Sequence, residues 1–87
     1  MNLKTIDLNL LVAFEALIAE GHVTRAASAL GLTQPATSNA LKRLRLLFLD
    51  PLFIRVGRTM QPTTRARELS QPISAALAQV RRALNTP

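Results

Sequence analysis

The chain has 87 residues and a formal net charge of +6, with 11 Lys and Arg against 5 Asp and Glu, which implies one domain with a small core and points to an anionic partner. A hydrophobic content of 48% argues against disorder, while the lack of cysteine and a single histidine, His22, exclude a disulfide scaffold, thiolate zinc, a thiol nucleophile and a histidine-rich metal centre. Aromatic residues make up 3%, which argues against a platform that stacks the bases of a single strand.

In chain order, Asp7 is placed to N-cap a first helix over about 7–20, with Ile6 and Leu11 at the spacing of a hydrophobic staple. Leu10, Leu11, Phe14, Leu17 and Ile18 form its apolar stripe, and Gly21 ends it. The apolar run from Leu8 to Ile18 falls short of the ~20 residues of a membrane-spanning helix, and no secretory leader is visible, so the expected location is the cytoplasm. Thr24 is the predicted cap of a second, short helix ending at Leu30, with inward Ala26, Ala27 and Ala29 small enough for close helix approach and Gly31 as its stop. His22 reads as an ordinary loop residue.

Thr33 is the predicted N-cap of a third helix reaching about Phe48, with Pro35 in the first turn, where a missing N–H is harmless. Thr37, Leu41, Leu44 and Phe48 share an inward face of this helix, and Pro35, Ser38, Asn39, Lys42 and Arg43 lie on another. Asp50-Pro51 breaks it. Leu52 to Val56 reads as a strand, Gly57-Arg58-Thr59 as a turn and Met60-Gln61 as the returning strand of a hairpin with a basic tip. Thr63 or Thr64 caps a fourth helix over about 64–85, in which Pro72 should cause a kink or remove a hydrogen bond. Leu69, Ile73, Ala76, Leu77, Val80 and Leu84 form a stripe along it. About twenty helical residues span roughly 30 Å, more than a three-helix core covers, so these six residues are the predicted dimer interface.

The charge has an address. Lys42, Arg43, Arg45, Arg55, Arg58, Arg65 and Arg67 fall in one span whose only acid is Asp50, so that span carries the whole +6 and the rest is neutral. Two short helices joined by a Gly-containing turn, the second with a polar outer face, describe a helix-turn-helix. In that arrangement one helix braces on the nucleic-acid backbone and the next presents its N-terminal residues to base edges in the major groove. Ser, Thr, Gln and Asn can pair with bases there, and Lys and Arg with guanine or phosphate. The hairpin, with Arg55 and Arg58, is placed like a wing on the backbone or in a minor groove.

Residues 5–70 resemble the DNA-binding domain of LysR-type transcriptional regulators. The resemblance is carried by Asp7-Leu8-Asn9-Leu10-Leu11, by Ala26-Ala27 with Leu30, and by Leu32-Thr33-Gln34-Pro35-Ala36 with Ser38. It continues through Leu41 with Leu44, Leu52-Phe53 with Arg55, Arg58, and Pro62-Thr63. The opening Asp7 to Leu11 and the run Asn39 to Arg45 further resemble the branch of nodulation and aromatic-degradation regulators. Thr37 stands where the family usually has an apolar residue, and its hydroxyl can bond back to the Thr33 carbonyl. Arg65 or Ala66 replaces a usual glycine, which leaves the start of the fourth helix less defined.

The resemblance implies a mainly α, winged helix-turn-helix domain over 1–62, three helices plus a small β-hairpin, followed by a dimerising linker helix over 63–87. It also implies an effector-binding domain, absent from this chain, which would hold any small-molecule inducer. By position it places DNA contacts at Thr33, Gln34, Pro35, Ala36, Ser38 and Asn39, at Arg43 further along, and at Arg55 and Arg58 in the wing, with Thr24 on a phosphate; Lys42, on the same outer face of the helix, is a further expected phosphate contact. The implied partners are double-stranded DNA, as an interrupted palindrome, and a second copy of the chain, with a tetramer as the full-length assembly. No cofactor or metal is expected. A basic amphipathic module for a membrane surface or an acidic protein is the alternative. It is disfavoured because the basic block and the long amphipathic helix are largely separate stretches. An enzyme is rejected, since no nucleophile–base pair, paired carboxylates, metal cluster or Gly-rich phosphate loop is present.

Overall fold

The computed structural model describes residues 2–86. A 3-10 turn at Leu3–Thr5 leads to α1 (Asn9–Glu20), α2 (Val23–Leu30), α3 (Gln34–Phe48), β1 (Phe53–Val56), β2 (Thr59–Pro62) and α4 (Thr64–Leu84). Four helices and one antiparallel hairpin match the mainly α, winged arrangement expected from the sequence.

The boundaries follow local chemistry. The Asp7 carboxylate accepts from the Asn9 N–H at 2.9 Å, as an N-cap should, although regular helix begins only at Asn9 because the first carbonyls, of Asp7 and Leu8, are taken in short three-residue turns. Gly21 and Gly31 end α1 and α2 in the left-handed conformation, with φ of 62° and 68°. α2 starts two residues earlier than the Thr24 cap predicted. Its cap is His22, whose Nδ1 accepts from the Thr24 N–H at 3.1 Å, so Thr24 lies within the first turn. Thr33 caps α3 as expected, its Oγ1 accepting from the Ala36 N–H at 3.2 Å.

Phe14, Leu17, Leu41, Leu44, Leu52 and Phe53 form the centre of the core, with Phe14 and Phe53 rings tilted at 52° and 5.9 Å apart. Ala26 and Ala27 are buried and let α2 lie close to α1 and α3, while Ala29 faces outward, contrary to expectation. Thr37 is 0% exposed in this core and its hydroxyl donates to the Thr33 carbonyl at 3.0 Å, so the departure from an apolar residue leaves no unpaired polar atom. The core crosses residue 63: Ala66 is fully buried and Ile73 is only 9% exposed.

The bend between α3 and the hairpin is the least regular part. Leu49 ends α3 with φ of 51°, and Leu52 has φ of 62°. The Phe53 N–H donates to the Pro51 carbonyl at 2.7 Å, which closes a γ-turn on Leu52. The Asp50 carboxylate holds this turn, accepting at 2.8 Å from both the Leu52 N–H and the Thr63 hydroxyl. The Thr63 N–H donates back to the Leu52 carbonyl at 2.8 Å, and Thr63 Oγ1 caps α4 by accepting from the Ala66 N–H at 3.1 Å. One acid therefore ties together the end of α3, the root of the hairpin and the start of α4.

Two stability changes are expected. Asp50→Ala should cost about 1.5–3 kcal/mol in urea unfolding, since it frees a buried N–H and a hydroxyl at once. Leu49→Gly should raise stability by up to about 1 kcal/mol, because the 89% exposed side chain loses no burial and the left-handed strain is removed.

Candidate nucleic-acid interface

Apart from Thr37, the opening residues of α3 face outward. Thr33, Gln34, Pro35, Ala36, Ser38 and Asn39 are all exposed, as are Lys42 and Arg43 about one turn further on. They lie opposite Thr37, Leu41 and Leu44, which are buried and hold the helix against α1 and α2. Thr24 is exposed at the first turn of α2, and Arg55 and Arg58 are exposed on the hairpin.

The hairpin is tight. Val56 pairs with Thr59, so the turn is the two residues Gly57-Arg58, with Thr59 already in the strand instead of the three-residue turn expected. Gly57 takes φ of 63°, the left-handed position that such a turn requires at its first central residue. The Met60 N–H donates to the Gly21 carbonyl at 2.9 Å, which pins β2 to the end of α1 and fixes the wing relative to the helices.

The seven bases of the basic span do not share one role. Arg45 donates from Nε to the Pro51 carbonyl at 2.8 Å and from Nη2 to the Phe53 carbonyl at 3.0 Å, which braces the irregular bend. Arg67 donates to the Pro62 carbonyl at 3.0 Å, and Arg65 lies 4.0 Å from Glu68. Arg43 sits 3.4 Å from the Asp7 carboxylate, linking α3 to the start of α1 while half of its side chain stays exposed. Lys42, Arg55 and Arg58 make no hydrogen bond or ion pair among the described residues. Sequence alone could not separate the bracing arginines from these three, because composition does not reveal which carbonyls lie nearby. His22 was the other residue missed, and its position one residue before the helix was the available signal.

The predicted stripe on α4 divides in two. Ile73 belongs to the chain's own core at 9% exposed, and its remaining surface lines an open groove. Leu69 and Leu77 are half-buried against the same core. Ala76, Val80 and Leu84 are exposed, Leu84 at 79%. An apolar groove of about 270 Å³ runs beside the upper half of this face, lined by Leu11, Phe48, Leu69, Pro72, Ile73 and Ala76 among others. Among the described residues no helix is long and apolar enough to cross a membrane.

Comparison with known proteins agrees with this geometry. The family model described as "Bacterial regulatory helix-turn-helix protein, lysR family" matches residues 8–67. The chain is 50% identical over 84 residues to the HTH-type transcriptional activator NahR of Pseudomonas putida, covering 97% of the chain and 28% of that relative. It is 48% identical over 81 residues to nodulation protein D 3 of Rhizobium leguminosarum bv. phaseoli, covering 93% of the chain and 27% of the relative. Its fold superposes on the crystal structure of a BenM DNA-binding domain in complex with benA site 1 DNA with a TM-score of 0.82 and 25% identity, covering 91% of this chain and 89% of that one. The chain thus spans less than a third of the length of these two relatives.

The Asp7 contacts give a pH dependence. The Asn9 backbone N–H, and secondarily Arg43, hold the Asp7 carboxyl below its usual value of 3.8. A depressed carboxylate stabilises the fold above its unfolded pKa and loses that contribution as pH falls through the folded one. Wild type should therefore exceed Asp7→Asn in thermal stability at neutral pH, and the difference should shrink in acid as pH falls below the usual carboxylate range. A difference that persists there would mean that the cap acts independently of its charge.

Proposed function

The chain belongs to the LysR family of bacterial helix-turn-helix regulators, and on that premise we propose that it is the reading head of a transcriptional regulator, binding double-stranded DNA in a sequence-specific way. The observation that carries this reading is the uncharged, exposed opening of α3 from Thr33 to Asn39, flanked by Lys42 and the wing's Arg55 and Arg58. α3 enters the major groove and the wing, about 52–61, follows the adjacent backbone or minor groove. Gln34, Ser38 and Asn39 meet base edges, and the Pro35 ring and the Ala36 methyl offer apolar contact to thymine methyls. Lys42, Arg55 and Arg58 meet phosphate, and Arg43 does so with the part of its fork that Asp7 leaves open. The Thr24 hydroxyl bonds a phosphate at the start of α2. The BenM domain's complex with DNA supports this assignment by likeness of fold over nearly the whole of both chains.

The domain reading follows: residues 1–62 form the winged reading head and 63–87 the linker, within a regulator whose effector-binding part lies outside this chain. The linker pairs two copies through Leu69, Ile73, Ala76, Leu77, Val80 and Leu84, with the apolar groove that Ile73 lines covered by the partner. Two copies read an interrupted palindrome, as a two-fold dimer should. The protein acts in the cytoplasm, where bacterial DNA is.

Selection of bound DNA from a random pool tests the reading directly, with a dyad-symmetric motif as the expected outcome and no enriched motif as its refutation. On the selected operator the two kinds of contact should separate. Gln34→Ala should reduce discrimination among operator variants by about 1–3 kcal/mol. Arg58→Ala should weaken binding to all sequences alike and reduce the slope of log affinity against log salt by about 0.9.

A further inference from the structure

One acid on α1 contacts α4 far from its start. Arg81 donates from both Nη atoms to the Glu15 carboxylate, Nη1 to Oε2 at 3.3 Å, and the Ser74 hydroxyl lies 3.4 Å from the same Oε2. The Arg81 guanidinium holds the Glu15 carboxyl below its usual range, with Ser74 adding to the effect. Beyond the first turn of α4, Glu15 accepts every side-chain hydrogen bond that this helix makes to the helical body among the described residues.

Its position along α4 matters. Thr63 and Ala66 fix the helix at its start. Pro72 then removes a backbone hydrogen bond midway, the place where a helix bends most easily. Leu69, Ile73 and Leu77 pack against the body through apolar contacts, which resist separation but carry no preferred direction. Ser74 and Arg81 lie on the far side of Pro72, and beyond Arg81 only the exposed end with Leu84 remains. The directional contact therefore spans the soft point and sets the angle at which α4 leaves the body.

That angle is multiplied by length. From Ala66 to Arg81 the helix rises about 22 Å, so a tilt of about 10° moves its far end by about 4 Å, more than the roughly 3.4 Å rise of one base pair. In a dimer paired along α4, both reading heads shift with that angle. Each base pair of added spacing also turns one half-site by about 35° around the duplex.

We propose that Glu15, Ser74 and Arg81 form a clamp that sets the half-site spacing accepted by the dimer, with Glu15 as a positioning residue that touches no DNA. The inference rests on the DNA-reading function proposed above. With Arg81 half-exposed and Glu15 partly exposed, the pair adds little to global stability. Its consequence is geometric.

The test uses the 87-residue chain and an operator selected from a random pool, rebuilt with its central spacer one and two base pairs longer and shorter. Wild type, Glu15→Gln, Arg81→Gln and the exchange Glu15→Arg with Arg81→Glu are titrated on each duplex and on an isolated half-site. Wild type should favour one spacer by about tenfold or more over its neighbours. Both single variants should flatten that preference to within about threefold while half-site affinity stays at the wild-type value, and the exchange should restore the preference.

An unchanged spacer profile in Glu15→Gln overturns the clamp, as does a half-site loss that parallels the loss on the full operator. Failure of the exchange to restore the preference overturns the charge pair as its cause. A wild type that binds its half-site specifically but distinguishes no spacer also overturns the clamp and leaves DNA reading intact. A wild type without sequence preference overturns DNA reading itself.

Discussion

The Asp50 carboxylate is the constraint on which the second half of the molecule depends. Past α3 the chain must reverse, start a hairpin and launch a long helix within a few residues, and it does so through two leucines in left-handed geometry. Such geometry is unfavourable for any residue with a Cβ. It persists at Leu52 because the side chain is fully buried, its N–H reaches Asp50 and its carbonyl receives the Thr63 N–H. Asp50 also accepts from the Thr63 hydroxyl, the group that caps α4. The direction of the wing and that of α4 are thus set by the same few atoms.

This explains why the basic span cannot be treated as one patch. Arg45 is bound to two carbonyls of the bend and Arg67 to the Pro62 carbonyl. They neutralise orphan acceptors where regular structure stops, a local need that arises from the turn itself. The cations left for a polyanion are those on elements whose own hydrogen bonds are complete: Lys42 within α3, and Arg55 and Arg58 on the paired hairpin. The +6 that suggested an anionic partner is therefore part scaffold and part interface.

Most of the architecture was legible because it rests on short-range rules. Thr33, Gly21, Gly31 and Thr63 each mark a boundary by a mechanism that acts within four residues. The buried and exposed faces of α3 followed from helical spacing for the same reason. What escaped was either an unusual choice within those rules or a contact between distant segments. Histidine is an infrequent cap, so Thr24 drew the assignment that belongs to His22. Asp50 followed by Leu52 has the spacing of a side chain that bonds its own backbone two residues on, a signal present in the sequence but outweighed by Pro51. Glu15 with Arg81 and Arg43 with Asp7 join residues far apart in the chain, and no periodicity encodes them.

The stripe on α4 shows that an apolar pattern does not by itself name what covers it. Six apolar residues at helical spacing establish only that one face avoids water. Whether that face is covered from within or by another chain depends on how far the core extends. Here it reaches Ile73 and Leu77 and stops, leaving Val80 and Leu84 in solvent. A helix buried along its whole length would hold no apolar surface for a partner, and one free along its whole length would transmit no orientation. Division at mid-length gives α4 both properties. The inner half ties it to the helical body, and the outer half keeps its apolar side chains in solvent. The angle between those halves is decided near Pro72, where apolar packing alone gives no direction and Glu15 supplies it.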